Sequence, residues 1–169
     1  NGITNPSWSP DGRRLVFTGL DGGLSDLFIT DLDGNLKRLT RDRYADLHPS
    51  WSPDGRTIAF ATDRGPNTDF DRLVFGNLRV ALYHLDSEEI EVLPGQDEGK
   101  NLNPVWAPDS RSLVWVSDRT GTDNLYYYDL DQRELYRISD VLSGVIGITR
   151  LSPALSWAHR DGRLLFIYF

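Results

Sequence analysis

Residues 49–56 read Pro49-Ser50-Trp51-Ser52-Pro53-Asp54-Gly55-Arg56. The same octet stands upstream as Pro6-Ser7-Trp8-Ser9-Pro10-Asp11-Gly12-Arg13 and downstream as Pro104-Val105-Trp106-Ala107-Pro108-Asp109-Ser110-Arg111. A divergent fourth copy runs from Pro153 to Arg163; there Leu155 or Trp157 takes the tryptophan place, and the spacing from Pro153 favours Leu155. The first three tryptophans lie 43 and 55 residues apart, a period that belongs to blade-like or solenoid units. Pro presets φ for a turn, Asp bonds its own backbone, and Gly supplies positive φ. Asp11-Gly12, Asp54-Gly55 and Asp109 therefore build a tight turn, and Trp8, Trp51 and Trp106 are large apolar wedges for packing between units.

The residues around each octet follow one succession. After the turn comes a first apolar run: Leu15 to Phe17, Ile58 to Phe60, Leu113 to Val116, Leu164 to Ile167. A second follows at Leu27 to Ile29, Leu78 to Leu85 and Leu125 to Tyr128. A polar turn and an alternating stretch close the unit: Leu36 to Leu39, Ile90 to Leu93, Leu135 to Ile138. These runs are short, rich in aromatic and β-branched residues, and bounded by Gly, Pro, Asp and Asn; no segment sustains a 3.6-residue apolar period. Each repeat reads as a four-stranded antiparallel meander, A to D. Strands B and C are apolar on both faces, as a sheet covered on both sides must be, whereas D alternates with Lys, Arg and Glu like a solvated edge. The fold class expected is all-β, a β-propeller of four-stranded antiparallel blades with strand A nearest the axis. The chain is one propeller segment, 1–169, with repeats at about 1–43, 44–98, 99–147 and an incomplete 148–169, about three and a half in all.

Composition bounds function. With 169 residues, 39% hydrophobic and 11% aromatic, the chain can bury a core. Asp and Glu outnumber Lys and Arg by 25 to 18, a net charge of −7; such a surface repels phosphate backbones, so no nucleic acid partner is expected. The absence of Cys excludes disulfides, thiolate zinc sites and cysteine catalysis. No apolar run approaches the ~18 residues of a membrane span. There is no Met, so the sequence is expected to start inside a longer protein.

The pattern Pro-x-Trp-Ser-Pro-Asp-Gly-Arg-x-Ile/Leu-x-Phe, followed by Thr62-Asp63-Arg64-Gly65 or Ser117-Asp118-Arg119-Thr120-Gly121 and a Tyr-rich strand, resembles the WD40-like PD40 repeat of TolB-type β-propellers. The resemblance covers nearly the whole chain. Segments Asn67 to Asn77 and Gly147 to Ser156 resemble a narrower group, large bacterial envelope proteins whose propeller sits beside a peptidase-like domain or an outer-membrane barrel. The resemblance implies a periplasmic or cell-surface location, a non-catalytic role and protein or peptide partners. It also implies an alternative, the gating propeller of a peptidase whose catalytic domain lies outside this chain. A third reading is a carbohydrate-active propeller.

Meander topology sends the A–B and C–D turns to one end and the B–C and D–A loops to the other. The first end is tight and nearly constant. At the second, the B–C loop grows to Asp63–Asn77 in repeat two. Long loops on a rigid scaffold are where binding concentrates. The candidate protein-contact residues are Arg64, Asp69, Phe70, Asp71, Arg72 and Phe75: mixed charge around aromatic anchors. The competing reading folds Phe70, Leu73 and Phe75 back as a cap on the blade. An arc of blades also leaves apolar end faces for self-association.

Catalytic and metal chemistry find little support. His48, His84 and His159 are not spaced for a metal. Asp31-x-Asp33-Gly34-Asn35 opens like a calcium loop, but the twelfth position holds Asp42 rather than Glu, and Asp129-Leu130-Asp131-Gln132 marks the same place as a C–D turn. No Gly-x-Ser-x-Gly elbow occurs, and Gly19 to Gly23 lacks the Lys of a phosphate loop. Neither cofactor nor metal is expected. The exception worth testing is a cation on Asp63 and Asp118, whose competing roles are turn bonds with an inter-blade ion pair.

Overall fold

The structure, a computed structural model, describes residues 2–146, 154–158 and 160–168. Among the described residues there is no helix, and hence none long and apolar enough to cross a membrane. Blade 1 comprises β1 (Gly2–Trp8), β2 (Arg14–Asp21), β3 (Leu24–Asp31) and β4 (Leu36–Arg38). Blade 2 comprises β5 (Asp46–Trp51), β6 (Thr57–Thr62), β7 (Arg79–His84) and β8 (Ile90–Val92). Blade 3 comprises β9 (Asn101–Trp106), β10 (Ser112–Ser117), β11 (Asn124–Asp129) and β12 (Glu134–Arg137). A two-stranded unit follows, β13 (Leu155–Ala158) with β14 (Arg163–Phe166). Each full sheet runs in chain order and is antiparallel throughout. The first strands adjoin in series, β1 to β5, β5 to β9 and β9 to β13. The sheets are propeller blades, part of a ring, with the Pro-x-Trp strand innermost.

The double-faced apolar runs explain the stacking. Val16, Leu27 and Ile29 of blade 1 meet Trp51, Ile58, Phe60, Ala81 and Tyr83 of blade 2. Ala59, Val80 and Leu82 on the opposite face of blade 2 meet Trp106, Leu113, Trp115, Tyr126 and Tyr128 of blade 3. Val114, Val116 and Leu125 then meet Ala154 and Leu155. Each large side chain so buried contributes about 1.5–3 kcal/mol.

Trp51 and Trp106 are wedges, 5% and 3% exposed. Trp8 is not: it is 58% exposed. The wedge packs on the blade before it, Trp51 on blade 1 and Trp106 on blade 2, and Trp8 stands in the first blade described. The fourth repeat needs a second correction. Trp8, Trp51 and Trp106 pair across the blade with Leu15, Ile58 and Leu113; Trp157 pairs likewise with Leu164. Trp157 therefore holds the tryptophan place. Leu155, two residues earlier, takes that of Pro49 and Pro104. The turn before β14 is wider, closed from Gly162 N to Ala158 O, where the earlier copies close Gly12 N to Ser9 O. Residues 147–153, with part of the second resemblance segment, and His159 lie outside the described residues.

Two further regularities organise the stack. Every innermost strand of the full blades carries a bulge at the residue before its Pro: Asn5, His48 and Asn103 have φ of 52°, 53° and 52°. Asn and His tolerate the left-handed region better than most residues. The outer strands carry inter-blade ion pairs of opposite polarity. Lys37 of β4 meets Glu88 of the next C–D turn. At the matching places one blade on, Glu91 of β8 meets Arg133 at 3.0 Å.

Candidate functional site

The B–C loop of blade 2 is an ordered hairpin. Asp69 and Val74 exchange both backbone hydrogen bonds, at 2.8 and 2.9 Å. The Asp69 carboxylate accepts the amides of Asp71 and Arg72 at 3.0 and 3.1 Å. At its base, Thr68 Oγ1 donates to the Asp63 carbonyl and accepts Gly76 N. The fourth loop residue, Leu73, sits at φ 54°.

The base of this loop is clamped to the preceding D–A loop. The Arg64 guanidinium pairs with Asp42 and Asp46 and donates to Thr62 Oγ1. It also lies 5.0 Å from the Tyr44 ring and 5.8 Å from that of Phe60. Phe70 packs edge-on against Tyr44 at 5.0 Å, with the Arg43 guanidinium 4.5 Å from the Phe70 ring. The Asp46 side chain is fully buried, and burial pushes its carboxyl up despite Arg64 against it. Blade 3 has Asn101 where blade 2 has Asp46; Asn101 accepts Trp115 Nε1 at 3.0 Å, and Arg119 turns instead to the Gly95 carbonyl. The clamp is thus a property of blade 2.

The candidate residues therefore separate. Arg64 is consumed by the clamp. Asp69 caps its own turn, and Phe70, one of the three residues in the cap reading, packs on Tyr44 while Leu73 and Phe75 do not fold back. Asp71, Arg72 and Phe75 face solvent, joined by Leu73 and Val74: Leu73 is 72% and Phe75 63% exposed. Asp63 accepts the Ala45 amide at 2.8 Å and Asp118 the Lys100 amide at 2.6 Å; burial pushes the Asp63 carboxyl up. These bonds tie each B–C loop to the D–A loop before it, 18 residues away, rather than closing a local turn; among the described residues no group of three or more His, Asp or Glu could hold a metal ion. Tyr44 and Arg43 are the site residues that sequence reasoning missed. Their loop is short, and only the folded contact reveals that it supports the longer one.

Other blades add exposed apolar groups at the same end: Leu20 and Leu24 flank the B–C turn of blade 1, and Leu142 and Ile146 follow β12. At the opposite end, a half-open groove of about 420 Å³ lies between blades 1 and 2, lined by Arg14, Ile29, Lys37, Leu39, Gly55 and Leu85 among others. Arg14 there stacks over Trp51. Acidic Asp31 and Asp86 share the lining with the two cations, so the groove selects no charge.

Stacked four-stranded blades with constant turns at one end and variable loops at the other define a β-propeller segment. Residues 1–73, which hold the octets at Trp8 and Trp51, match the PD40 family, described as the TolB beta propeller domain. TolB from Acinetobacter baumannii superposes with a TM-score of 0.77 at 18% identity, over 100% of this chain and 38% of that one. A putative TolB from Agrobacterium tumefaciens gives 0.68 at 24%, over 83% of this chain and 47% of that one. A puromycin-hydrolyzing peptidase from Mycobacterium tuberculosis gives 0.65 at 15%, over 99% and 29%. This chain therefore spans less than half the length of each of these three, and at such identities the likeness is one of fold. No curated protein matches the sequence.

Proposed function

We propose that this chain is a non-catalytic binding module of a bacterial cell-envelope protein, periplasmic or surface-exposed, that holds a protein or peptide at its B–C/D–A end. The observation that carries this reading is the exposed Leu73-Val74-Phe75 tip on an ordered loop, at an end where Leu20, Leu24, Leu142 and Ile146 are also exposed. Apolar side chains held out by rigid support are interface anchors. The test immobilises the chain, captures protein from envelope extract, and rebuilds the complex from purified components. Leu142→Asp with Ile146→Asp should weaken that complex, and Leu32→Asp at the turn end should not; the opposite ranking refutes the placement. A second reading, the accessory propeller of a peptidase, draws support from the peptidase superposition. A Gly-x-Ser-x-Gly hydrolase domain in the same polypeptide would favour it.

A further inference from the structure

The hairpin 69–75 carries an unusual pairing of order and exposure. Its frame is fixed by the Asp69–Val74 backbone pair, the Asp69 cap and the Phe70–Tyr44 contact. Its tip is apolar and in water. Leu73 adopts a left-handed φ of 54°, which disfavours a bulky side chain and which Gly would relieve. Elsewhere in the chain polar residues fill such left-handed turn positions, Glu88 at φ 60° and Arg133 at φ 58°; here the position holds a leucine whose side chain lies in solvent. The charge around the tip is also distinctive. Arg41 and Arg43, on the D–A loop that Phe70 packs against, have no carboxylate partner among the described residues, and Arg72 has only Asp69, at 3.6 Å. The Asp69 carboxylate is already engaged by two amides; Asp71 is the one other acid in the hairpin. A chain of net charge −7 thus sets Arg43 against Phe70 and Arg72 within the hairpin that carries this exposed apolar tip.

We propose that hairpin 69–75 is a pre-ordered finger that docks an acidic, apolar-bearing segment of a protein partner. Leu73, Val74 and Phe75 pack on its apolar side chains, and Arg41, Arg43 and Arg72 meet its carboxylates. This rests on the binding-module reading above and adds the chemistry of the partner. Pre-ordering keeps the entropy cost of docking low, and arginine suits carboxylates through bidentate hydrogen bonds.

The experiment selects a displayed random dodecapeptide library on the 169-residue chain and measures one enriched peptide by fluorescence anisotropy. Enriched sequences should combine Asp or Glu with Leu, Phe or Trp, and affinity should fall as salt rises. Leu73→Ser with Phe75→Ser should weaken binding at least about tenfold, and Arg43→Glu with Arg72→Glu by a similar factor. Leu73→Gly keeps the fold measurable: its melting temperature should hold or rise by roughly 2 °C as the left-handed strain is relieved, while binding weakens. Basic or neutral enriched peptides, or affinities unmoved by the tip variants, overturn the proposal. So does tip-dependent binding to vesicles containing anionic lipid, which would assign the finger to a membrane. If these variants leave the complex rebuilt from envelope protein intact, the finger fails and the binding module stands.

Discussion

Three tryptophans with one sequence context have three environments. Trp106 Nε1 donates to the Ser50 carbonyl of the preceding blade at 3.0 Å. Trp51 Nε1 is buried with no partner, and Trp8 is exposed. Trp106→Ala and Trp51→Ala should each cost about 3–5 kcal/mol, measured by urea unfolding, and Trp8→Ala under about 1 kcal/mol. Phe separates the two wedges: Trp106→Phe loses a buried hydrogen bond that Trp51→Phe does not, so it should be the more destabilising by about 1 kcal/mol. Equal costs would mean that the Ser50 bond is worth nothing. His48 supplies a pH-dependent counterpart. Burial holds its imidazole below the ordinary 6.5, and its Nδ1 is buried without a partner. The unfolded chain then binds the proton more readily than the folded one. The stability linked to His48 is full above 6.5 and is lost as pH falls through the lowered folded value. His48→Asn installs the residue found at positions 5 and 103 and keeps the left-handed φ accessible. Melting temperatures at pH 7.5 and 5 should show a smaller acid loss in the variant; an unchanged loss would exonerate His48.

Blade stacking depends on elements meeting in order, and the outer ion pairs bear on that order. Lys37–Glu88 and Glu91–Arg133 occupy equivalent places with the signs exchanged. A blade shifted by one place would set Lys37 against Arg133. Lys37→Glu should destabilise slightly at low salt, and adding Glu88→Lys should restore the loss. The coupling should stay below about 1 kcal/mol, because both groups are largely exposed, and should vanish in 1 M salt; a double-mutant cycle without coupling would remove the pair from the account. At this scale the sequence was most legible. Strands B and C announced themselves through apolar runs with two buried faces, and the A–B turns through Asp-Gly. What stayed hidden was set by contacts between distant loops. Arg64 looked like a rim cation because nothing local marks Asp42 and Asp46 as its partners. Phe70 and Phe75 look alike in sequence, yet Tyr44 captures only Phe70. Trp157 was misplaced because its turn is wider than the three tight ones, so Pro spacing misled where cross-strand pairing decides.

At the largest scale residues 1–169 form a run of blades, each built to be covered on both sides. Trp8 lies 58% exposed in the first blade, and Leu165 lies 65% exposed in the last unit. Ile3 of the first strand is 68% exposed as well. Apolar area of this kind drives association when nothing else covers it. The 169-residue chain in isolation should therefore self-associate, with sedimentation coefficients that rise with protein concentration. Trp8→Glu puts a charge in that face, where it costs the exposed monomer little and a buried interface several kcal/mol. It should return the chain to a monomer with blade stability unchanged. The finger variant Leu73→Ser with Phe75→Ser should leave association as it was, because the loop end is not the stacking face. A concentration-independent monomer in the parent chain would refute association through the blade faces. Loss of association in the finger variant alone would show that copies meet tip to tip, and would make the exposed loop, rather than the open blade, the adhesive surface of this propeller.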